Sequence, residues 1–575
     1  MASGYHLPIR PEQKQGHVSE GFLTPPQDRR EQIMCVPPRR VVPIVFLPGI
    51  MGSNLRMSRE RQEALKKGNN IAWRPDRLSA AADQIDAPAA ERQQQLDPLQ
   101  TEVDTYDPLT NPTGDAKESA DQRHDNAQVK FTLPVDIDTP LLTDDPPTAR
   151  PRKTKAEKAR ARGWGEVYFG SYGKLLQLCE ERLNTASVHG QPNPWWKSNL
   201  LGVDPKTWGA VADPALAPLT EEDLKKAMFG CFYPVHAMGY NWLQSNKNSG
   251  IYIADRIDNL IKLYQGWGFE CEKVILVTHS MGGLVARAAV HPEIGNAQES
   301  VLGVVHGVMP AIGAGAAYKR MRCGFEGGPI VSRILGNTGP KVTAVLANSP
   351  GGLELLPSQA YGNHWLRVRH RNYHPVELPR NGDPYEEIYK LRAEWWRLFR
   401  EEWINPAKEP SEGLSAGFER TCQYLDAARA FHNTLNGHYH PHSYAHYGAD
   451  TRRAAWHKVT WEVDAQSTVP NVAALEIKYD NEQGLLNLHG DAVKNMMRGV
   501  PTQIVPARLL PPIESGDQTV PAHSADDQMR SGKFKGIFRQ TGYEHQDSYQ
   551  DEAALHSTLY SLVRIAQTMQ WTSGS

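Results

Sequence analysis

Short apolar runs of strand length recur along the chain and alternate with segments of helical spacing. The runs cover residues 41–47, 273–279 and 301–307, and the first of them stops at Pro48-Gly49. Before the second run, apolar side chains recur every three or four positions, at Ile253, Ile257, Leu260, Ile261 and Tyr264. Continuous apolar strands that alternate with amphipathic helices predict an α/β fold, with a mainly parallel sheet covered by helices on both faces.

Two long stretches interrupt this alternation. Residues 58–162 are polar with little periodicity, as insertions are, and residues 309–440 combine glycine-rich loops with helices predicted over 384–404 and 415–435. An insertion of the second size after a core strand predicts a cap over one end of the sheet. The predicted divisions are a core start (1–57), a polar insertion (58–162), core (163–308), cap (309–440) and core end (441–575), with a small β excursion at about 453–500.

The composition excludes some partners. The 575 residues carry a net charge of -2, so no overall field attracts nucleic acid, and none is expected as a partner. The six cysteines lack metal spacing, which favours reduced thiols. The histidine-rich stretch at 438–446 lacks a cluster of cysteines or carboxylates beside it, so a polar segment entering a strand is favoured over a metal site.

The first residues lack a charged segment followed by an apolar one, so we expect no cleavable secretory signal and synthesis in the cytoplasm. No apolar run reaches the roughly 18 residues that a membrane-spanning helix requires.

The stretch "VTHSMGG" contains the candidate nucleophile, Ser280. It lies between a predicted strand and a predicted helix, the context of a nucleophile elbow, and Gly282 and Gly283 lack side chains where strand and helix would approach closely. The alternative is that Ser280 only caps the helix. Thr278 departs from the usual Gly-x-Ser-x-Gly pattern, and we expect it to affect only local packing.

A serine nucleophile needs a base, an acid that orients the base and donors for the oxyanion. Asp517, in "ESGDQTVP", is the candidate acid, and Asp450 at the end of a predicted core strand is the alternative. The loop "LPGIMGS" offers the backbone N–H of Ile50, with Met51 as the alternative. The second oxyanion donor of this fold is the N–H of the residue after the nucleophile, Met281.

The base is expected after the acid along the chain. His523 is too close to Asp517 to come from a different loop, and His556 belongs to a predicted terminal helix. His545 leaves room for one helix and one strand after Asp517, so this topology favours it. Such a mechanism requires no metal and no cofactor.

Five motifs together resemble a known family: "VPIVFLPGIMGSNL", "AMGYNW", "THSMGGLVAR", "LLPSQAYG" and "GDQTVP". They are similar to the lipases related to lecithin:cholesterol acyltransferase and to GPI inositol-deacylases, and the whole chain is most similar to the fourth family of type VI secretion lipase effectors. The resemblance implies an α/β-hydrolase fold with a cap, and a triad of Ser280, Asp517 and His545 with oxyanion donors at Ile50 and Met281.

The resemblance also implies partners and a place of action. These are a phospholipid membrane as substrate, components of the secretion spike or an adaptor, an immunity protein that protects the producer, and action in the periplasm of the target cell.

The expected activity is therefore hydrolysis of phospholipid acyl esters through an acyl-enzyme, in an antibacterial toxin. One alternative is a soluble esterase or thioesterase that acts on a small-molecule or lipid metabolite. A second is a non-enzymatic binding protein on a hydrolase scaffold.

Overall fold

The structure is a computed structural model that describes residues 9–12, 16–19, 38–76, 85, 87–109, 118–133, 139–145, 147, 149–188, 190–370, 373–409, 417–464, 471–490 and 504–572. Every candidate site residue lies within these ranges. Cys35 and parts of the predicted divisions 1–57, 58–162 and 453–500 lie outside them.

Six parallel strands form the central sheet. In chain order they are β1 (Ile44–Leu47), β2 (Val235–Ala237), β3 (Val274–His279), β4 (Val301–Gly307), β5 (Ser443–Gly448) and β6 (Gly536–Gln540). They lie side by side in the order β2-β1-β3-β4-β5-β6, and every neighbouring pair is parallel. The predicted α/β class is confirmed.

Helices cover both faces of this sheet, which explains why β1 to β5 are buried at every position. In β1, Val45 and Leu47 pack in one core cluster and Ile44 and Phe46 in the other, because neighbouring side chains of a strand point to opposite faces. The helices Asn246–Gly266 and Gly282–Val290 pack on one face of the sheet. The helices Phe169–Asn184 and Glu552–Ala566 pack on the other face.

A second six-stranded sheet joins two distant parts of the chain. Its strands, in spatial order, are Tyr373–Leu378, Leu366–His370, Val459–Val463, Ile504–Leu509, Leu485–His489 and Glu476–Asp480. The first two belong to the segment 309–440, and Leu366–His370 pairs in parallel with Val459–Val463. The strand-like stretches after residue 453 therefore pair with strands of the cap segment.

The prediction of a helix over residues 384–404 is wrong. The structure has a single π-helical turn at Tyr385–Tyr389 and a short helix at Glu401–Ile404, with bends between them. Trp395, Trp396 and Phe399 are all buried, and Trp395 packs on the Trp461 ring and donates a 2.9 Å hydrogen bond to the Val472 carbonyl, so contacts with distant segments override the helical pattern here. The helix predicted over 415–435 is confirmed, and the structure describes it as Phe418–Leu435.

Short helices of the segment 309–440 lie near the carboxyl ends of the central strands. They are Gly315–Cys323, Pro329–Leu335, Gly339–Leu346 and Pro350–Leu353. Ala89–Gln95, from the polar insertion, packs on Gly339–Leu346, and Arg92 donates a 3.0 Å hydrogen bond to the carbonyl of Leu335. This part of the segment 58–162 therefore contacts the segment 309–440 directly.

The other described elements are short. The strands are Ile9–Glu12, Gly16–Ser19, Arg40–Val41, Leu55–Met57, Ile71–Trp73, Thr101–Val103, Ser187–Val188, Gln191–Pro192, Cys231–Phe232, Asp450–Ala455 and Glu514–Gly516. The α-helices are Arg59–Ala64, Ala120–Arg123, Lys155–Ala161, Pro194–Asn199, Glu221–Met228, Ala522–Ala525 and Asp527–Arg530. The 3-10 turns are Trp164–Glu166, Pro205–Trp208, Gln298–Ser300, Gln359–Tyr361, Val472–Ala474 and Ser548–Gln550. In the described part of the chain, no helix combines the length and hydrophobicity that a membrane crossing requires.

Candidate active site

Ser280 occupies a tight turn between β3 and the helix Gly282–Val290. Its backbone φ is +53°, a value that residues other than glycine rarely adopt. Its N–H donates a 2.8 Å hydrogen bond to the carbonyl of Gly307. A Cβ on Gly282 would lie 2.5 Å from the carbonyl oxygen of Leu47. The N-cap position falls at Met281 without a side-chain capping bond, so Ser280 does not act as the cap.

The structure brings three of the candidate side chains together. His545 Nε2 lies 2.8 Å from Ser280 Oγ, and His545 Nδ1 lies 2.8 Å from Asp517 Oδ2. All three residues are buried. An ionised carboxylate only accepts hydrogen bonds, so Asp517 holds the proton on Nδ1 and leaves the Nε2 lone pair facing the serine hydroxyl. A base in this arrangement can remove the serine proton.

The acid and the base lie beside the ends of neighbouring strands of the central sheet. Asp517 lies beside the end of β5, where a Cβ on Gly448 would come within 2.8 Å of the Asp517 Cβ. His545 follows β6, and its backbone N–H donates a 2.9 Å hydrogen bond to the carbonyl of Asp517. Asp517 Oδ1 accepts from the amides of Thr519 at 3.1 Å and Val520 at 2.7 Å. The carboxylate is therefore held at both oxygens.

Asp450, the alternative acid, contacts a different set of groups. Its Oδ1 accepts from the Arg452 amide at 2.8 Å and its Oδ2 from the Gly542 amide at 3.0 Å. These hydrogen bonds, that from Arg452 first, lower the pKa of Asp450. Gly542 lies between β6 and His545 in the chain, so Asp450 holds the loop that carries the histidine without touching its ring.

The other two candidate bases lie elsewhere. His523 Nε2 lies 2.9 Å from the carbonyl oxygen of Tyr361, and the His556 ring lies on the terminal helix between the rings of Trp195 and Trp208. His545 alone of the three meets Ser280.

The candidate oxyanion donors belong to a turn that faces the serine. The Gly52 N–H donates a 3.0 Å hydrogen bond to the Gly49 carbonyl, and Ile50 and Met51 line the same cavity as Ser280. Within the described ranges, neither the Ile50 nor the Met281 N–H donates to another protein group. Both amides are therefore available to an oxyanion, and Met51 stays an alternative because it lies in the same turn.

A second histidine beside the nucleophile did not emerge from the sequence. His279 Nε2 lies 2.9 Å from the carbonyl oxygen of His545, which can only accept, so Nε2 carries the proton and Nδ1 accepts from the Tyr172 hydroxyl at 3.2 Å. The Tyr172 oxygen in turn accepts from the Gly49 amide at 3.4 Å. Burial, and then the charge of His545, lower the pKa of His279 to about 3, so it stays neutral and links the oxyanion loop to the histidine loop.

A cavity of about 240 Å³ opens beside the serine. One end of the cavity is polar and is formed by the side chains of His279, Ser280 and His545 and by the turn at Gly49 and Ile50. Apolar side chains of the cap form most of the rest: Ala317, Met321, Phe325, Leu335, Leu346 and Leu355. An apolar chamber that ends at the Ser280 hydroxyl suits an ester with a hydrocarbon chain.

Thr278 provides a test of how the elbow tolerates a branched residue. Its backbone pairs with both β1 and β4, its side chain is fully buried, and its Oγ1 has no hydrogen-bond partner among the described residues. We expect Thr278→Gly to keep at least a third of kcat/KM but to lose about 1–2 kcal/mol of unfolding free energy, because a strand glycine leaves a cavity. Ester hydrolysis and thermal unfolding measure the two effects.

Thr278→Val is the matched control. It keeps the branched shape and removes the unpaired hydroxyl, so its unfolding free energy should equal or exceed that of the parent by about 1 kcal/mol. A folded Thr278→Gly protein that lost more than tenfold in kcat/KM would show that the threonine shapes the elbow.

Comparisons with known proteins place this site in a family. The family described as PGAP1-like alpha/beta domain matches residues 238–312, which hold β3, Ser280 and β4. No curated protein sequence matches the chain. A chain of the solved structure described as "The crystal structure of Tle4-Tli4 complex" is 32% identical, with a TM-score of 0.70, and the match covers 92% of this chain and 99% of that chain. The protein therefore belongs to the fourth family of type VI secretion system lipase effectors, built on a PGAP1-like α/β-hydrolase core.

Proposed function

We propose that the protein is a serine-dependent phospholipase that hydrolyses acyl esters of membrane lipids through an acyl-enzyme. The hydrogen-bonded chain from Asp517 through His545 to Ser280, at the polar end of an apolar cavity, is the observation that carries this proposal. Membership of a lipase effector family supports the same reaction class.

The proposed steps follow from the positions of these groups. His545 Nε2 takes the proton of Ser280 as Oγ attacks the ester carbonyl, and Asp517 stabilises the imidazolium through Nδ1–H. The Ile50 and Met281 amides bind the oxyanion, and His545 then protonates the leaving alcohol. Water, activated by the same imidazole, cleaves the acyl-enzyme and releases a fatty acid.

The biological role extends the proposal beyond the chemistry. The solved relative, Tle4, is in a complex with Tli4. By this similarity we propose an antibacterial effector that the type VI apparatus, through its spike or an adaptor, delivers into the periplasm of the target cell. A cognate immunity protein would bind this chain in the producer.

A fluorophosphonate reagent tests the activated serine directly. Its phosphorus accepts the Ser280 oxygen, fluoride leaves, and the base takes the serine proton, so labelling requires the nucleophile and the base together. We expect the intact protein to gain one adduct, located by peptide mass spectrometry to Ser280. The variant His545→Ala should be labelled at least about a hundredfold more slowly, since general-base catalysis contributes about 10²–10⁴-fold.

Two results would contradict the proposal. Absence of labelling at a reagent concentration that saturates a serine esterase would leave a non-enzymatic binding protein. Labelling combined with faster turnover of short soluble esters than of dispersed phospholipid would favour a soluble esterase.

A further inference from the structure

Two adjacent cations of the cap share one carboxylate at the cavity wall. Lys319 and Arg320 lie on the helix Gly315–Cys323, and both bind Glu326: Lys319 Nζ lies 2.8 Å from Oε2, and Arg320 Nε lies 2.9 Å from Oε1. Burial raises the pKa of Glu326, but the charges of Arg320 and Lys319 outweigh it and bring the pKa to about 2. The group therefore carries two positive charges and one negative charge at neutral pH.

This group borders the catalytic residues. Arg320 Nη2 donates a 2.9 Å hydrogen bond to Thr519 Oγ1, and the Thr519 amide donates to the carboxylate of Asp517. Arg320, Glu326 and Thr519 line the same cavity as Ser280. The guanidinium lies against the Phe325 ring, 4.9 Å from its centroid, which fixes its plane.

The proposed ester hydrolysis has no use for these charges. The oxyanion is assigned to backbone amides, and the proton transfers to His545, so Arg320 and Lys319 take no part in either. A partly buried arginine fork beside a hydroxyl matches the oxygens of a phosphate, which accepts several charge-assisted hydrogen bonds. In a glycerophospholipid, the phosphate and the acyl chains are attached to the same glycerol, so the phosphate lies close to the acyl esters.

We propose that Arg320, with Thr519, binds the phosphodiester of a glycerophospholipid whose acyl ester lies at Ser280. Glu326 binds the Arg320 guanidinium when no lipid is bound, and the lipid phosphate replaces its carboxylate there, while Lys319 stays paired with Glu326. This inference rests on the proposed function, because it assigns the head-group end of the same substrate.

Two lipids with identical acyl chains test the proposal. Dioleoylphosphatidylglycerol and dioleoylglycerol, each in mixed micelles with a nonionic detergent, differ only in the phosphate-bearing head group. We expect Arg320→Gln to lower the ratio of kcat/KM for the phospholipid to kcat/KM for the diacylglycerol by about tenfold. Glu326→Gln, which removes the competing charge, should lower KM for the phospholipid and leave the preference for it intact.

Arg392→Gln provides the matched control, because Arg392 is an exposed arginine of the same segment that pairs with Glu419 outside the cavity. It should keep the ratio within twofold. Ser280→Ala, in the same assays, separates the two proposals: if it leaves both rates intact, the proposed mechanism fails, whatever Arg320 does.

Two outcomes would overturn the phosphate site while leaving the mechanism in place. In the first, Arg320→Gln lowers both rates equally, as expected if the arginine only ties the cap to the acid loop. In the second, sodium phosphate changes the rate of diacylglycerol hydrolysis relative to sodium chloride of equal ionic strength, and Arg320→Gln abolishes that change. If Arg320→Gln also leaves the phospholipid-to-diacylglycerol ratio of kcat/KM constant, the site would serve a free anion.

Discussion

Ser280→Ala should lower the release of fatty acid from phospholipid by at least about 10⁴-fold, because no other hydroxyl of the described residues lies within hydrogen-bond distance of His545 Nε2. The fold should survive the change. Alanine and serine have a similar cost at the φ of +53°, and Ser280 holds the turn through its backbone N–H, which alanine keeps. Release of oleate from dispersed dioleoyl lipids measures activity, and circular dichroism during heating measures the fold.

Ser561→Ala is the control for loss of a buried serine. Its hydroxyl donates a 2.7 Å hydrogen bond to the carbonyl of Ser557 within the terminal helix, so its loss should leave kcat/KM within twofold. If the folded Ser280→Ala protein kept more than a tenth of the parent activity, Ser280 would not be the nucleophile.

The sequence predicted the parts of this fold that depend on local patterns. The apolar runs at 273–279 and 301–307 form β3 and β4, which are buried at every position. Apolar runs of this length between helices already indicate a parallel sheet. The strand-turn-helix context predicted Ser280, a short polar loop downstream predicted Asp517, and the chain order with room for one helix and one strand predicted His545. The structure places the three within hydrogen-bond distance, while their catalytic roles stay a prediction.

The features that the sequence did not predict depend on contacts between distant segments. Leu366–His370 pairs with Val459–Val463, and no local pattern states which strands become neighbours. The helix expected over 384–404 failed because its aromatic residues are buried among other parts of the cap, which overrides helical propensity. Arg320 was unremarkable in the sequence because its partner Thr519 is 199 positions away.

His279 is a different case, since a signal was available. It directly precedes the candidate nucleophile, at the end of a strand that is apolar from Val274 to Val277, and a polar ring there must find partners when it is buried. Those partners, the Tyr172 hydroxyl and the His545 carbonyl, lie 107 positions before and 266 positions after His279, so the sequence could indicate a buried polar contact but not which groups supply it.

Asp517→Asn should lower kcat by about 10³–10⁴-fold, because it changes which ring nitrogen of His545 carries the proton. Asp517 Oδ1 accepts from the amides of Thr519 and Val520, so an asparagine keeps its carbonyl oxygen there and turns its NH₂ toward His545 Nδ1. Nδ1 must then accept, which leaves the proton on Nε2, and a protonated Nε2 cannot take the proton of Ser280. Pre-steady-state and steady-state ester hydrolysis would measure the loss.

Asp450→Asn separates this effect from a general loss of a buried carboxylate. Asp450 accepts from the Arg452 and Gly542 amides, so an asparagine there turns its NH₂ toward one of these donors and destabilises the histidine loop by about 1–3 kcal/mol. The tautomer of His545 is unaffected, so kcat should fall less than tenfold. If Asp450→Asn instead lost most of kcat while Asp517→Asn kept it, Asp450 would be the acid, and the hydrogen bond between Asp517 and His545 would only position the loop.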